Sequence, residues 1–117
     1  MFQVNFSEQA MRELNQLPRP EQMALVEMIS AVTARQISHP SEPLGRFERD
    51  GKPFYRLRAG EWRFYFEIQG SQLHTRYLLH KNSLGDFIVR SKLPLGDDQV
   101  LEKDASFWKY LERLGKK

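Results

Sequence analysis

The sequence predicts a single α+β domain, in which an antiparallel β-sheet carries an N-terminal αα-hairpin on one face. Helical spacing follows one short strand in the first part of the chain. Residues 53–80 alternate apolar and polar side chains with a period of two, and glycine turns divide that segment. The predicted order is β-α-α-β-β-β with a core over residues 2–90, and a helical extension over residues 93–117 completes the domain.

Composition narrows the classes of protein. A chain of 117 residues fits one domain, and 40% apolar with 28% charged residues is typical of a globular protein, not of a disordered one. The absence of cysteine excludes a disulfide scaffold, a thiolate metal site and a cysteine nucleophile. The first residues have neither the basic nor the apolar region of a signal peptide, and no apolar run approaches the about 18 residues that span a bilayer. We therefore expect a cytoplasmic protein with no membrane partner.

Proline residues divide the helical part of the chain. Residues 2–6 alternate as a short strand, and Ser7 stands where a helix N-cap belongs. Pro18 and Pro20 cannot continue the helix that follows, and Pro20 is well placed to begin a second helix over residues 20–37. Two helices joined by so short a break form an αα-hairpin.

Glycine turns divide the strands. Gly60 separates the alternating residues 53–59 from residues 61–68, so these two strands form a hairpin. A second tight turn at Gly70 leads into residues 72–80, which completes a three-strand meander. One face of the middle strand is predicted to be core and consists of Trp62, Phe64, Phe66 and Ile68.

The C-terminal part is predicted to be helical. Residues 84–92 form a short helix that Pro94 ends, and a longer helix covers residues 97–114. Its apolar positions include Phe107, Trp108 and Leu111. We expect this helix to dock on the body of the domain as core. The alternatives are a helix that binds a partner and an element that covers the basic face.

Positive charge is concentrated in the middle of the chain. The net charge is −2 over residues 1–43, +5 over residues 44–92 and zero over residues 93–117. A local excess of this kind attracts phosphate backbones or acidic protein surfaces. The alternative is a solvated surface that happens to be rich in arginine.

Alternation along the hairpin brings three arginines together. Arg56, Arg58 and Arg63 are expected on one open surface of adjacent strands, with Tyr65 beside them. Arginine binds phosphate through two parallel hydrogen bonds and keeps its charge, so the cluster is a candidate phosphate cradle. Tyr65 could stack on a base. The alternative is an ordinary polar face whose ion pairs contribute little.

A histidine and a lysine end the last strand. His80 can exchange a proton near neutral pH, and Lys81 follows it directly. If the strand continues as far as Lys81, the two residues point to opposite faces, so only one of them can join the arginines. The other histidines have no metal-ligand spacing with His80, and no nucleotide-binding, zinc-protease or serine-hydrolase motif is present.

Four segments together resemble one family. Residues 55–68, YRLRAGEWRFYFEI, resemble the YRLRVGDYRVIYEI core of the RelE/ParE toxin superfamily. Residues 14–18 resemble its L-x-x-L-P helix break, and residues 44–47 its approach to the hairpin. Residues 80–87 stand where the family has a basic H-R-x-x-x-Y ending. The resemblance covers about residues 2–90 and includes the order of the elements.

The resemblance implies a type II toxin that an antitoxin protein neutralises. Ribosome-dependent members cleave mRNA in the ribosomal A site and thereby inhibit translation. They use no metal and no cofactor: the RNA 2′-hydroxyl attacks the phosphate in line while basic side chains stabilise the developing charge. The partners implied are therefore an antitoxin, the ribosome and mRNA.

The same resemblance implies roles for individual residues. Arg56 and Arg58 take the two basic strand positions, Arg63 the phosphate-gripping position, and Lys81 the downstream basic position. Phe87 stands where active nucleases of the RelE type carry a tyrosine, and phenylalanine has no hydroxyl with which to exchange a proton.

Two further features bear on catalysis. Arginine at both strand positions is a poor proton donor or acceptor. His80 could compensate if it turned toward the arginines. Two other functions are open: a gyrase inhibitor of the ParE type without nuclease activity, and a toxin-derived module that binds or regulates without catalysis. Phe87 and the long C-terminal extension favour the second.

Overall fold

The structure, a computed structural model, describes residues 1–49, 51–82 and 105–115 and has an α+β architecture, as predicted. Its strands are β1 (Gln3–Phe6), β2 (Leu44–Arg49), β3 (Lys52–Ala59), β4 (Trp62–Gln69) and β5 (Gln72–His80). Its helices are α1 (Glu8–Asn15), α2 (Arg19–Ser30), α3 (Ala34–Ser38) and α4 (Ala105–Gly115). In the described part of the chain, no helix is both long enough and apolar enough to cross a membrane.

In the described residues, the sheet has five strands in the order β1-β5-β4-β3-β2. The predicted meander is confirmed: β3, β4 and β5 pair antiparallel, and Gly60 and Gly70 make their turns at φ 63° and 59°. A positive φ favours glycine at both turns.

Two details of the predicted sheet are wrong. Residues 44–49 form a strand, β2, that pairs antiparallel with β3, and β1 pairs parallel with β5, so the sheet is mixed. Gly45 interrupts the alternation of β2 and hides the strand in the sequence. Pairing between β1 and β5 joins segments far apart in the chain, which local patterns do not encode.

The predicted second helix is in fact two. α2 ends at Ser30, and α3 begins after Thr33, whose hydroxyl accepts a hydrogen bond from the Gln36 backbone N–H (3.3 Å). The Gln36 side chain in turn accepts from the Thr33 N–H (2.9 Å). This capping box starts a new helix and lets Val32 enter the core between the two. The predicted helix over residues 84–92, and residues 97–104 of the last predicted helix, lie outside the described residues.

The αα-hairpin packs on one face of the sheet, which we call the core face. Phe64 and Phe66 are fully buried there, and Trp62 and Ile68 pack at the margin, which confirms the predicted core positions of β4. The helices contribute Ala10, Leu14, Leu25 and Ile29.

The buried side chain of Gln9 joins α1 to the edge of β5. β1 pairs with β5 only as far as Phe6 and Thr75, and beyond that point no strand among the described residues lies beside this edge of β5. Gln9 Nε2 donates to the Leu78 carbonyl (2.9 Å), and Gln9 Oε1 accepts from the Leu78 N–H (2.8 Å). One side-chain amide thus replaces a strand partner and satisfies two buried backbone groups.

The opposite face of the sheet carries a second apolar cluster, and α4 packs on it. Phe107, Trp108 and Leu111 are buried against a patch of aromatic and aliphatic side chains. The sheet residues of this patch are Phe47, Phe54, Tyr65, Tyr77 and Leu79. The expectation that the C-terminal helix docks as core is confirmed, and the expectation that the second face is left open is wrong for this patch.

Replacing Trp108 tests the α4 contact. Trp108→Ala is expected to lower the free energy of unfolding by about 3–5 kcal/mol, because it removes ring contacts with Phe47 and Phe54 at 5.4 and 5.3 Å and leaves a cavity. Urea unfolding measures this loss. The neighbouring exposed Lys109→Ala is the control and should stay within about 0.5 kcal/mol of wild type. Equal stability of the two variants would contradict the packing.

Candidate functional site

The three predicted arginines lie on the same face of the sheet as α4, which we call the arginine face. Arg58 of β3 stands directly opposite Arg63 of β4, and Arg56 stands opposite Tyr65. Residues directly opposite in an antiparallel pair share a face, as do residues two apart in a strand. The predicted grouping on neighbouring strands is therefore present, but the side chains differ sharply in exposure.

Arg56 is buried, contrary to the expectation of an open surface. Only 1% of the residue is exposed, and its guanidinium lies against Gly45, its register partner on β2. A Cβ at position 45 would stand 2.6 Å from Arg56 Nη2. Glycine in the strand therefore makes the recess that admits the guanidinium.

Glu42 connects Arg56 to Arg58. Its Oε1 accepts a hydrogen bond from Arg56 Nη2 (3.1 Å), and its Oε2 accepts from Arg58 Nη1 (2.9 Å). Glu42 is 58% exposed and Arg58 35%, so the chain of charges runs from the buried guanidinium to the surface. The carboxylate lowers the net positive charge that the arginine pair offers to a ligand.

Arg63 is half-buried and extends along the β3–β4 turn. Its Nη1 donates to the carbonyls of Gly60 and Trp62, both at 3.0 Å. These bonds hold the guanidinium at the end of the sheet where the hairpin turns. Arg58 and Arg63 therefore form the accessible part of the cluster.

Tyr65 is fully buried, so the expectation of an open ring beside the arginines is wrong. Its ring makes edge-to-face contacts with Phe107 (5.9 Å) and Trp108 (6.2 Å) of α4. The alternating pattern assigned Tyr65 to the correct face but could not reveal that a distant helix covers it. A base cannot stack on this ring while α4 is docked.

His80 lies on the core face and does not turn toward the arginines. It stands opposite Trp62 in the β4–β5 register and contacts that ring edge-on at 5.1 Å. The residue opposite Arg63 is Leu79. The alternation that allowed only one residue of the pair to join the arginines thus places His80 away from them.

Glu61 joins His80 and Lys81 at the β3–β4 turn. His80 Nδ1 accepts from the Asn82 N–H (3.1 Å), which leaves the proton on Nε2, 3.3 Å from Glu61 Oε2. Lys81 Nζ lies 3.4 Å from Glu61 Oε1 and is 51% exposed. The hydrogen bond from His80, and after it the contacts with Lys81, lower the pKa of the Glu61 carboxyl below its ordinary value of 4.5.

Phe87 lies outside the described residues. Among the residues that are described, no three His, Asp or Glu side chains group as a metal site would require. The candidate site therefore consists of the arginine face at the β3–β4 turn, with Lys81 at the same end of the sheet.

Sequence reasoning missed Glu42, Gly45 and Glu61 as parts of this site. Gly45 carried a usable signal, because a glycine inside a strand often marks the close approach of another group. Glu42 and Glu61 carried none: each is a glutamate in a loop or turn, and its partners come from elsewhere in the sheet.

The arrangement offers two chemical functions. Arg58, Arg63 and Lys81 present exposed or half-exposed cations that can bind phosphate oxygens. The Glu42 carboxylate, oriented by two guanidiniums, can accept a proton beside them. An anion-binding surface with an adjacent carboxylate suits recognition of a phosphodiester.

Comparison with known proteins finds similarity to solved structures but no match to a protein family or a curated protein. A chain of the RelBE2 toxin–antitoxin complex of Mycobacterium tuberculosis superposes with a TM-score of 0.52 at 22% identity, over 68% of this chain and 96% of that one. A chain of the archaeal RelE–RelB complex of Pyrococcus horikoshii OT3 superposes with a TM-score of 0.56 at 17% identity, over 68% and 94%.

The chain has a RelE-like fold. The resemblance inferred from the sequence is thereby confirmed at the level of fold. The RelE-like fold accounts for nearly all of each matched chain but leaves about a third of this one without a counterpart.

The lowered pKa of Glu61 predicts a pH-dependent contribution to stability. A carboxyl whose folded pKa lies below its unfolded value stabilises the fold above the unfolded value, and this contribution disappears as the pH falls through the folded value. Glu61→Gln is therefore expected to lower the melting temperature slightly at pH 7, and the difference should begin to shrink near pH 4.5 and disappear once the pH lies below the lowered folded pKa. The control is Glu48→Gln, an exposed glutamate of β2. A Glu61→Gln difference that persists unchanged in acid would refute the assignment.

Proposed function

We propose that this protein is a RelE-like toxin of a type II toxin–antitoxin system, which acts on RNA at the ribosome in the cytoplasm and is neutralised by an antitoxin protein. The observation that carries the proposal is the fold shared with chains of two toxin–antitoxin complexes. The local charge supports the proposal, because residues 44–92 carry a net charge of +5 and contain both the arginines of the arginine face and Lys81.

RNA would contact the exposed cations at the β3–β4 turn. Arg58 and Arg63 stand opposite each other on adjacent strands, and Lys81 lies at the same end of the sheet. Cations in this arrangement can grip successive phosphate oxygens and release counterions on binding. Tyr65 does not take part while α4 covers it.

Cleavage would follow in-line attack by the RNA 2′-hydroxyl on the adjacent phosphate, with departure of the 5′-oxygen. Arg58 and Arg63 would stabilise the charge that develops on the phosphate oxygens. Glu42 is our candidate for the base that accepts the 2′-hydroxyl proton, because arginine stays protonated and His80 lies on the other face. Phe87 supplies no proton, so the leaving oxygen would take its proton from water.

A second candidate function is a toxin-derived module that binds RNA or a partner without catalysis. Glu42 and Glu61 together pair with Arg56, Arg58, His80 and Lys81, which reduces the positive field at the site. Residue 87 also lacks the hydroxyl that active relatives are expected to have. Binding without cleavage would support this candidate.

Induced expression of wild type and Arg63→Ala in a bacterial host tests the proposed function. Wild type is expected to arrest growth with mRNA cut on ribosomes, and co-expression of a cognate antitoxin should relieve the arrest. Arg63→Ala should relieve it as well, because a phosphate contact is lost; the slope of log affinity against log salt should fall by about 1. The measurements are growth, primer extension on mRNA and binding titrations at several salt concentrations.

Arg46→Ala is the matched control, since Arg46 is exposed on β2 and stands opposite Tyr55 of the core face. It should remain as toxic as wild type. Growth arrest with intact mRNA and blocked DNA supercoiling would replace the proposal by the gyrase-inhibitor function. No growth effect at all would favour the non-catalytic module.

Glu42→Gln separates binding from cleavage. The amide retains the size of the side chain but cannot accept the proton, so the cleavage rate is expected to fall by about 10²- to 10⁴-fold. Affinity for ribosome-bound mRNA should not weaken, because a negative charge beside the arginines has been removed. Single-turnover cleavage on programmed ribosomes measures both quantities. A Glu42→Gln protein that cleaves at the wild-type rate would exclude Glu42 as the base.

A further inference from the structure

We propose that Arg56 is a positioning residue, which holds Glu42 in place from within the fold and does not contact RNA. This inference rests on the proposed function and assigns Arg56 a role other than the phosphate contact that the family resemblance implies. Gly45 contributes to this positioning, because it provides the recess in which the Arg56 guanidinium lies.

Burial distinguishes Arg56 from Arg58. Arg56 is 1% exposed, whereas Arg58, two residues along the same strand and on the same face, is 35% exposed. Arg56 therefore offers almost no surface to a phosphate group, whereas Arg58 can be reached. A guanidinium withdrawn from solvent acts through the groups it already contacts.

The carboxylate of Glu42 is bound through both of its oxygens. Each of its two oxygens is bound by a different guanidinium, at 3.1 Å from Arg56 and 2.9 Å from Arg58. A contact to an exposed arginine alone would orient a glutamate weakly, since exposed ion pairs contribute little. The second contact comes from a guanidinium that is withdrawn from solvent, so it holds the Glu42 carboxylate more firmly than an exposed partner would. A carboxylate has about four lone-pair positions, and two contacts leave others free to accept a proton.

Gly45 leaves room for the Arg56 guanidinium. A Cβ added there would approach Arg56 Nη2 to 2.6 Å and Cζ to 3.0 Å, so alanine must displace the guanidinium. The displaced atoms are the tip of a flexible side chain, and the rest of the fold can remain intact. Gly45→Ala therefore moves Arg56 relative to Glu42 without removing any charge from the site.

The test measures cleavage of labelled mRNA on programmed ribosomes under single-turnover conditions. The maximal rate and the protein concentration for half-maximal rate are determined for wild type, Gly45→Ala, Arg56→Lys, Arg58→Ala and Glu42→Gln. The half-maximal concentration is measured at several KCl concentrations to obtain the salt slope. Arg46→Lys, on the core face, is the control for an arginine-to-lysine change, and thermal melts verify that each variant is folded.

Gly45→Ala and Arg56→Lys are expected to lower the maximal rate by about tenfold or more, as loss of part of a base contribution of about 10²- to 10⁴-fold. Their half-maximal concentration and salt slope should remain at the wild-type values. Arg58→Ala should instead weaken binding and lower the salt slope by about 1. In the Glu42→Gln background, Gly45→Ala and Arg56→Lys should cause no further loss of rate.

Three outcomes would overturn the inference. A reduced salt slope for Arg56→Lys, like that of Arg58→Ala, would mean that Arg56 contacts phosphate directly. Wild-type rates for both Gly45→Ala and Arg56→Lys, with both folded, would mean that Glu42 needs no positioning. A wild-type protein that cleaves no mRNA would overturn this role together with the proposed nuclease function, and the wild-type lane alone identifies that case.

Discussion

The packing of α4 on the arginine face is the contact on which access to the candidate site depends. Its rings bury Tyr65 and Phe54 and pack against the half-buried Phe47, and they occupy part of the face that the sheet alone would leave open. Toward the β3–β4 turn the face remains accessible, and there Arg58 and Arg63 stand opposite each other. The site is therefore a basic rim beside an aromatic core.

Ion pairs with glutamates reduce the positive charge of these basic residues. Two glutamates each bind two basic groups. Glu42 binds Arg56 and Arg58 of β3, and Glu61 binds His80, the last residue of β5, and Lys81 directly after it. Both carboxylates are exposed, so their ion pairs are screened by water and can exchange partners when a phosphate arrives. Arg56 is the exception, since its charge is buried and its contact with Glu42 belongs to the interior.

Much of the fold could be predicted because its signals are local. Period-two alternation identified β3, β4 and β5, and glycine turns at Gly60 and Gly70 divided them. The apolar stripe of residues 107–111 identified α4 as a docking helix. Signals failed where a local pattern was broken or absent: Gly45 hid β2, and the capping box at Thr33 divided a helix that looked continuous. The parallel pairing of β1 with β5 left no local trace.

By itself, the sequence determined which residues share a strand face, and hence that Arg56, Arg58 and Arg63 form one group, because alternation is a property of the strand backbone. Only the tertiary structure decided how each of them can act. Exposure depends on what packs above a strand, and here a helix some forty residues away in the chain covers Tyr65 while a glycine on the neighbouring strand admits Arg56. Glu42 and Glu61, whose carboxylates pair with the basic side chains, lie in a loop and a turn, and no periodic pattern in the sequence specifies where such segments lie.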